Sequence, residues 1–401
     1  MPYDVAAVRS HFPALREGAA HFDGPGGTQT PDVVAEAVAT TLMSAVANRG
    51  AVTPAERRAD RIVHEARAAM GDLLGVVPEG IVFGRSATEL TFMVARTLSQ
   101  GWGPGDEVVV TRLDHDANVR PWVIAAEHVG AAVTLADFEP LTGELPAIDI
   151  AHVVSERTRL IAVTGASNLI GTRPDLCGLA EIAHAVGAQL YVDGVHSTAH
   201  VFTDVEASGA DFWVCSPYKF LGPHLGVLGA RPETLEALRP AKLLPSTDTV
   251  PERFELGTLP YELLAGTTAA VDFLAGLAPS KTGASRRERL ASSYAALEEH
   301  EDELLAWLEP RIRALPGVRV YSNARRRTPT LLFTSDRVPP QAIRAALAEV
   351  GVNAPAGNFY AWEPSHHLGL GAEGGVRVGL APYTDQSDVE RLVDGLTDFL
   401  G

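Results

Sequence analysis

QLYVDGVHSTAHVFTDVEASGADFWVCSPYKFLGPHLG, residues 189–226, decides the fold. Its two apolar runs, QLYVD (189–193) and DFWVC (211–215), have the length and the β-branched and aromatic content of strands. Working outward, IVF, EVVVT, AAVTLA and RLIAVTG repeat the pattern upstream, separated by helical stretches such as LCGLAEIAHAV. That alternation between residues 81 and 230 predicts an α/β fold with a mostly parallel central sheet and helices on both faces. Residues 32–47, entered after Pro31, and 55–74 read as amphipathic helices. GLAPSKTGA (276–284) breaks the pattern. Beyond it come a long helix over 285–314, strands near 318–321 and 329–335, a helix 340–350, a strand 374–379 and a final helix 385–399. These predict a smaller α+β C-terminal domain. The expected division is a large domain over 16–280 and a small one from 1–15 and 281–401.

With 401 residues, 46% of them hydrophobic, the chain can build a large core spread over about two or three domain-sized units. The net charge is −17, from 33 basic and 50 acidic residues, and no basic run exceeds Arg325–Arg327. That balance argues against nucleic acid and anionic membranes as partners. Two cysteines give no disulfide framework, which points to a reducing, cytoplasmic setting. The opening MPYDVAAVRSHFPALREG does not read as a signal peptide, and no run of about 18 apolar residues predicts a membrane span.

Chemistry concentrates at the strand ends. Asp193 closes QLYVD, and Lys219 follows 26 residues later, just after DFWVC, in SPYKFLGPHLG. Singly, the acid reads as a helix cap and the lysine as a solvated loop residue. Together, at the strand ends where α/β proteins keep ligands, they are the two groups that pyridoxal phosphate needs. A lysine amine holds its aldehyde, and a carboxylate keeps its pyridine nitrogen protonated. In GRSATELTFMVARTL (84–98), Ser86, Ala87 and Thr88 open a helix after a strand-like run, where free N–H groups and the helix dipole bind a phosphate. A simple N-cap is the bland reading of the same residues.

The stretch 189–226, with FDGPGGTQTP (22–31) and VRVGLAPYTDQSDVERLVDGL (376–396), resembles the class V aminotransferase-fold enzymes, in particular a cysteine desulfurase-like branch. The resemblance covers nearly the whole chain and implies the pyridoxal-phosphate-dependent transferase fold type I. It implies a cofactor phosphate on Ala87 and Thr88, aided by Ser216 and by Tyr218, where many relatives have His. LDHDANVRPW (113–122) is similar to the family's E-H-H-A-N-x-x-P-W, which implies that the His115 ring lies on the cofactor face. Asn168, in TGASNLIGT, matches an asparagine near the cofactor hydroxyl or the substrate carboxylate. His196 stands where desulfurases keep a Gln beside the phenolic oxygen. RFELGTLPY (253–261) resembles R-F-E-x-G-T, which implies that Thr258 reaches the phosphate of a neighbouring subunit in a homodimer with shared active sites. On the substrate side, Arg377 matches the arginine that grips an α-carboxylate through its planar fork. Gly26 and Gly27 are expected to line the pocket, with Asn48 and Arg49 at its mouth. Freed from its Schiff base, Lys219 is the expected base for the α-proton, on a path through external aldimine and quinonoid.

The chain departs from desulfurases in one respect. The region where they carry a sulfur-accepting loop cysteine, here VGVNAPAGNFYAWEPS (350–365), contains none. Cys177 and Cys215 read as buried packing residues. The leading expectation is a C–S β-elimination lyase acting on cysteine or a cysteine S-conjugate, whose sulfur departs on the leaving group. The alternatives are an epimerase, aminotransferase or decarboxylase of a specialised amino acid, and a catalytically inactive pyridoxal-phosphate-binding partner. For the second, Phe359, Tyr360, Trp362, His366 and His367 are candidates to shape a wide apolar mouth. No metal is expected, since the His366–His367 pair lacks further ligands at metal-binding spacing and reads as adjacent strand residues pointing apart.

Overall fold

The computed structural model describes residues 3–401. In chain order its strands are β1 (Ala20–His21), β2 (Ile81–Gly84), β3 (Glu107–Thr111), β4 (Ala132–Ala136), β5 (Thr158–Thr164), β6 (Gln189–Asp193), β7 (Phe212–Cys215), β8 (Gly226–Ala230), β9 (Val318–Val320), β10 (Thr330–Ser335), β11 (Val352–Asn353), β12 (Ala356–Gly357) and β13 (Gly375–Gly379). A seven-stranded sheet has the order β2-β8-β7-β6-β5-β3-β4, parallel throughout except for β8, which runs antiparallel to both neighbours. It is the mostly parallel α/β sheet the sequence predicts. Alternate strand residues enter two different cores: Val109, Ile161, Val163, Leu190 and Val192 one, and Val108, Val110, Leu160, Ala162 and Tyr191 the other. Burial on both faces is why these runs are almost purely apolar.

A four-stranded antiparallel sheet, β12-β13-β10-β9, follows the long helix Arg286–Arg313. Ser285 caps that helix with a reciprocal capping box to Glu288. Near the N-terminus, β1 pairs in parallel with β11, and Phe22 is buried with Leu331, Phe333 and Val378 in a third core.

Three local expectations are corrected. The helix expected over 32–47 spans Asp32–Met43, its last turn carrying Leu42 and Met43 at 65% and 81% exposure. β8 was not foreseen: GVLGA carries two glycines and joins the sheet only because β2 and β7 bracket it. Residues 362–367 form a short helix rather than a strand, with His366 Nδ1 2.8 Å from the Trp362 carbonyl and His367 Nε2 2.7 Å from that of Phe138. Among the described residues no helix is long and apolar enough to cross a membrane.

Candidate active site

Parallel neighbours deliver their carboxyl ends to one edge of the sheet. β7, β6, β5 and β3 are consecutive, so the loops carrying Lys219, Asp193, Asn168 and His115 meet there. β2 is antiparallel to β8, which is antiparallel to β7, so its end brings Ser86 to the same edge. A cleft of about 610 Å³ of empty space, counted out to its open mouth, lies between them. Its lining includes Ser86, Ala87, Thr88, His115, Asn168, Asp193, His196, Ser216, Tyr218 and Lys219. Of the residues read from the sequence as cofactor contacts, only Thr258 is missing from that wall.

Helix Ala87–Leu98 begins at the cleft, with the Ser86 hydroxyl accepting from the Glu89 N–H at 3.1 Å. The cap therefore exists, yet the N–H groups of Ala87 and Thr88 have no intrahelical partner by the geometry of a helix start. Gly226 lets that terminus sit close: a Cβ there would lie 2.3 Å from the carbonyl carbon of Ser86 and 2.7 Å from the nitrogen of Ala87.

Lys219 closes a 3-10 turn, Pro217–Lys219, and its Nζ donates to the Pro25 carbonyl. Burial, then the positive charge of Arg377, holds its amine down to about 7, although Asp193 pulls the other way. Asp193 accepts from the Val195 N–H at 2.9 Å, and burial lifts its carboxyl to about 6. At neutral pH it remains an anion. The His115 ring, desolvated and facing Lys219 and Arg377, is held down to about 4. Its Nδ1 accepts from the Ala117 N–H at 3.0 Å, so in this neutral ring the proton sits on Nε2. His196 places Nε2 at 2.9 Å from the Thr328 hydroxyl and 3.0 Å from that of Thr330, tying the cleft to the start of β10. Burial keeps it uncharged.

Arg377, on β13, is 2% exposed and donates from Nη1 to the main-chain oxygen of Asn168 at 2.9 Å. Among the described residues its Nε is buried without a partner, as is the Asn168 Oδ1. Burial lowers the guanidinium to about 9. Gly26 leaves room at the arginine, where a Cβ would come within 3.3 Å of Nη2, and Gly27 does the same at the Tyr218 ring. The Phe359 ring covers the guanidinium at 3.8 Å.

Comparison with known proteins places this geometry. The family model "Aminotransferase class-V" matches residues 20–392. An uncharacterised protein of Mycobacterium tuberculosis is 34% identical over 99% of both chains. A probable cysteine desulfurase of Mycolicibacterium paratuberculosis is 30% identical over 97% of this chain and 57% of its own length. The structure of the cysteine desulfurase CsdA from Escherichia coli superposes with a TM-score of 0.87, covering all of both chains at 27% identity. The chain belongs to the class-V aminotransferase family. It is a class-V enzyme that uses pyridoxal phosphate, and the cleft fits that group. An anionic Asp193, a near-neutral Lys219 amine, a free helix terminus approached through Gly226, and the unpartnered Asn168 Oδ1 are the donor and acceptor types it requires.

Three residues read from the sequence lie elsewhere in this class-V enzyme. Asn48 is exposed outside the cleft lining. Arg49 is held by Asp60 and Glu252, each at 2.9 Å, so its fork is already occupied. Thr258 is exposed in a separate surface depression with Arg85 and Leu256. The expectation of two buried cysteines holds for Cys215 only. Cys177 is exposed because the buried face of helix Leu176–Ala185 runs through Leu179, Ala180 and Ala183. Sequence reasoning missed Asp114, wholly buried beside His115 and bonded by Thr111 and Asn118. It also missed Thr328 and Thr330, more than a hundred residues from the His196 they meet. A signal for Asp114 was present in its place between Leu113 and His115, just beyond the end of β3; for the threonines there was none.

Proposed function

We propose that this class-V enzyme is a C–S β-elimination lyase acting on free cysteine or a cysteine S-conjugate. The observation that carries the reading is the placement of its thiols. Cys215 is buried with its thiol pushed well up by desolvation, Cys177 lies on an outer helix face, and no cysteine lines the cleft. A sulfur-accepting protein thiolate therefore has no place beside Lys219, and sulfur must depart with its own substituent. The curated relatives named cysteine desulfurases support a sulfur amino acid as substrate class.

Asp193, the helix start at Ala87 and Thr88, Ser216, Tyr218, Asn168 and the His115 ring would hold pyridoxal phosphate, with Lys219 binding its aldehyde. When bound, the cofactor supplies an electron sink for the pair left at Cα. Arg377 would grip the substrate carboxylate through its free edge, the buried Nε gaining the partner it lacks. Lys219, with its amine held down to about 7, would take the Cα proton in its uncharged form. The electron pair from that C–H bond forms the Cα–Cβ double bond as the Cβ–S bond breaks, and sulfur leaves with its own pair. Hydrolysis of the released enamine gives pyruvate and ammonia, with no change in net oxidation state. The neutral His115 ring adds no charge to that face of the cleft.

We further propose a homodimer in which Thr258 serves the partner's site, since the residue is exposed and outside its own cleft. Leu42, Met43, Val52, Leu244 and Leu256 are exposed apolar residues available to such an interface. The two thiols without a disulfide agree with a cytoplasmic setting.

Holoenzyme incubated with L-cystine, S-methyl-L-cysteine and S-benzyl-L-cysteine is expected to release pyruvate and ammonia, and Lys219→Ala none. A panel with no pyruvate sinks the lyase. Solvent deuterium entering Cα without elimination would instead assign the epimerase, aminotransferase or decarboxylase branch.

A further inference from the structure

Phe359 and Tyr360 are consecutive residues with φ of 56° and 57°, a left-handed conformation that side chains with a Cβ rarely adopt. Two in succession persist only where the surroundings over-determine them, and such strain gathers at ligand clamps. The fastening is visible. The Phe359 carbonyl accepts from Asn168 Nδ2 at 3.1 Å, and the Tyr360 carbonyl from the Asp116 N–H at 2.8 Å. The Asn358 side chain accepts from the Tyr360 N–H at 3.1 Å, and its carbonyl from the Ala361 N–H at 2.9 Å. The turn is thus tied to the loops after β5 and β3, the two that carry Asn168 and His115.

The strain sets two rings. Phe359 places its ring centre 3.8 Å from the Arg377 guanidinium carbon, covering one face, while Nε on the edge is unpartnered among the described residues. Tyr360 stands 5.7 Å from the His115 ring at 30° and remains 76% exposed. One ring therefore marks the carboxylate end of the cleft and the other marks the histidine beside Lys219. An α-amino acid held by Arg377 with its Cα at Lys219, and its side chain directed toward this turn, would lie against one or both rings. A compact polar thiol gains nothing from those surfaces, whereas an apolar or planar group buries them.

We propose that the turn Asn358–Ala361 is a specificity element that selects amino acids with an apolar or aromatic β-substituent, S-aryl or S-alkyl cysteines in preference to cysteine. The inference rests on the reading that the cleft takes a free α-amino acid, and it adds which class of side chain.

L-Phenylalanine and L-alanine separate the two questions, because neither carries a sulfur to eliminate. Their dissociation constants for the holoenzyme are measured by calorimetry, beside those for Phe359→Gly and Tyr360→Gly. Glycine adopts positive φ without strain, so the backbone turn survives the loss of each ring. Wild type is expected to bind phenylalanine at least about tenfold tighter than alanine, and each glycine variant to lose about tenfold on phenylalanine but under about threefold on alanine. Equal affinities in the wild type, equal losses on both ligands, or no binding of phenylalanine would each overturn the proposal. Ring-dependent phenylalanine binding without pyruvate from any S-conjugate would remove the lyase and leave this specificity standing.

Discussion

Lys219 must be uncharged to take a proton, and burial with Arg377 brings its amine down to about 7 from an ordinary value of about 10.4. In cofactor-free protein its acylation by a dilute activated ester, followed by mass spectrometry, should rise with pH through a midpoint near 7, because only the neutral amine attacks the ester. Arg377→Gln removes the nearby positive charge and should move that midpoint upward. A midpoint near 10 in the wild type would show that the cleft does not desolvate the amine. The placement of Asp193 and Lys219 at the cleft was legible in the sequence, since Asp193 ends one apolar strand and Lys219 follows another. Their protonation was not. It depends on desolvation by residues from distant parts of the chain, and no local pattern encodes how water is excluded.

At the scale of elements, the strands between residues 81 and 215 could be read because sheets buried on both faces demand near-continuous apolar runs. β8 escaped because two glycines weaken its pattern, and one of them has a packing reason. Gly226→Ala would force a Cβ into the main chain at Ser86 and Ala87, displacing the terminus proposed to hold the cofactor phosphate. The substitution should destabilise the apo protein by about 1–3 kcal/mol, as overpacking does, and weaken cofactor binding more than tenfold. Thermal unfolding and a fluorescence titration with pyridoxal phosphate measure the two effects. Unchanged cofactor affinity would mean the phosphate sits elsewhere. The turn at Phe359 and Tyr360 was legible only as a cluster of aromatics; its left-handed backbone comes from bonds to Asn168 and Asp116.

For the whole molecule, the shared-site dimer makes a complementation prediction. Lys219→Ala and Thr258→Arg should each be inactive alone. Heterodimers formed by unfolding and refolding the two together hold one intact site, with Lys219 from one chain and Thr258 from the other. Random pairing then restores about a quarter of wild-type activity. No recovery, with dimers shown by light scattering, would assign Thr258 to its own chain's site or to none. The sequence by itself determined the α/β class, through periodicity, and the cofactor, through the family resemblance carried by local motifs such as those around Asp193 and Lys219. Tertiary structure alone decided that Arg49 is spent on Asp60 and Glu252, that His196 meets Thr328 and Thr330, and that Phe359 caps Arg377. Each of those contacts joins residues that only packing brings together, and hydrophobic burial, being non-directional, writes no partner into a local pattern.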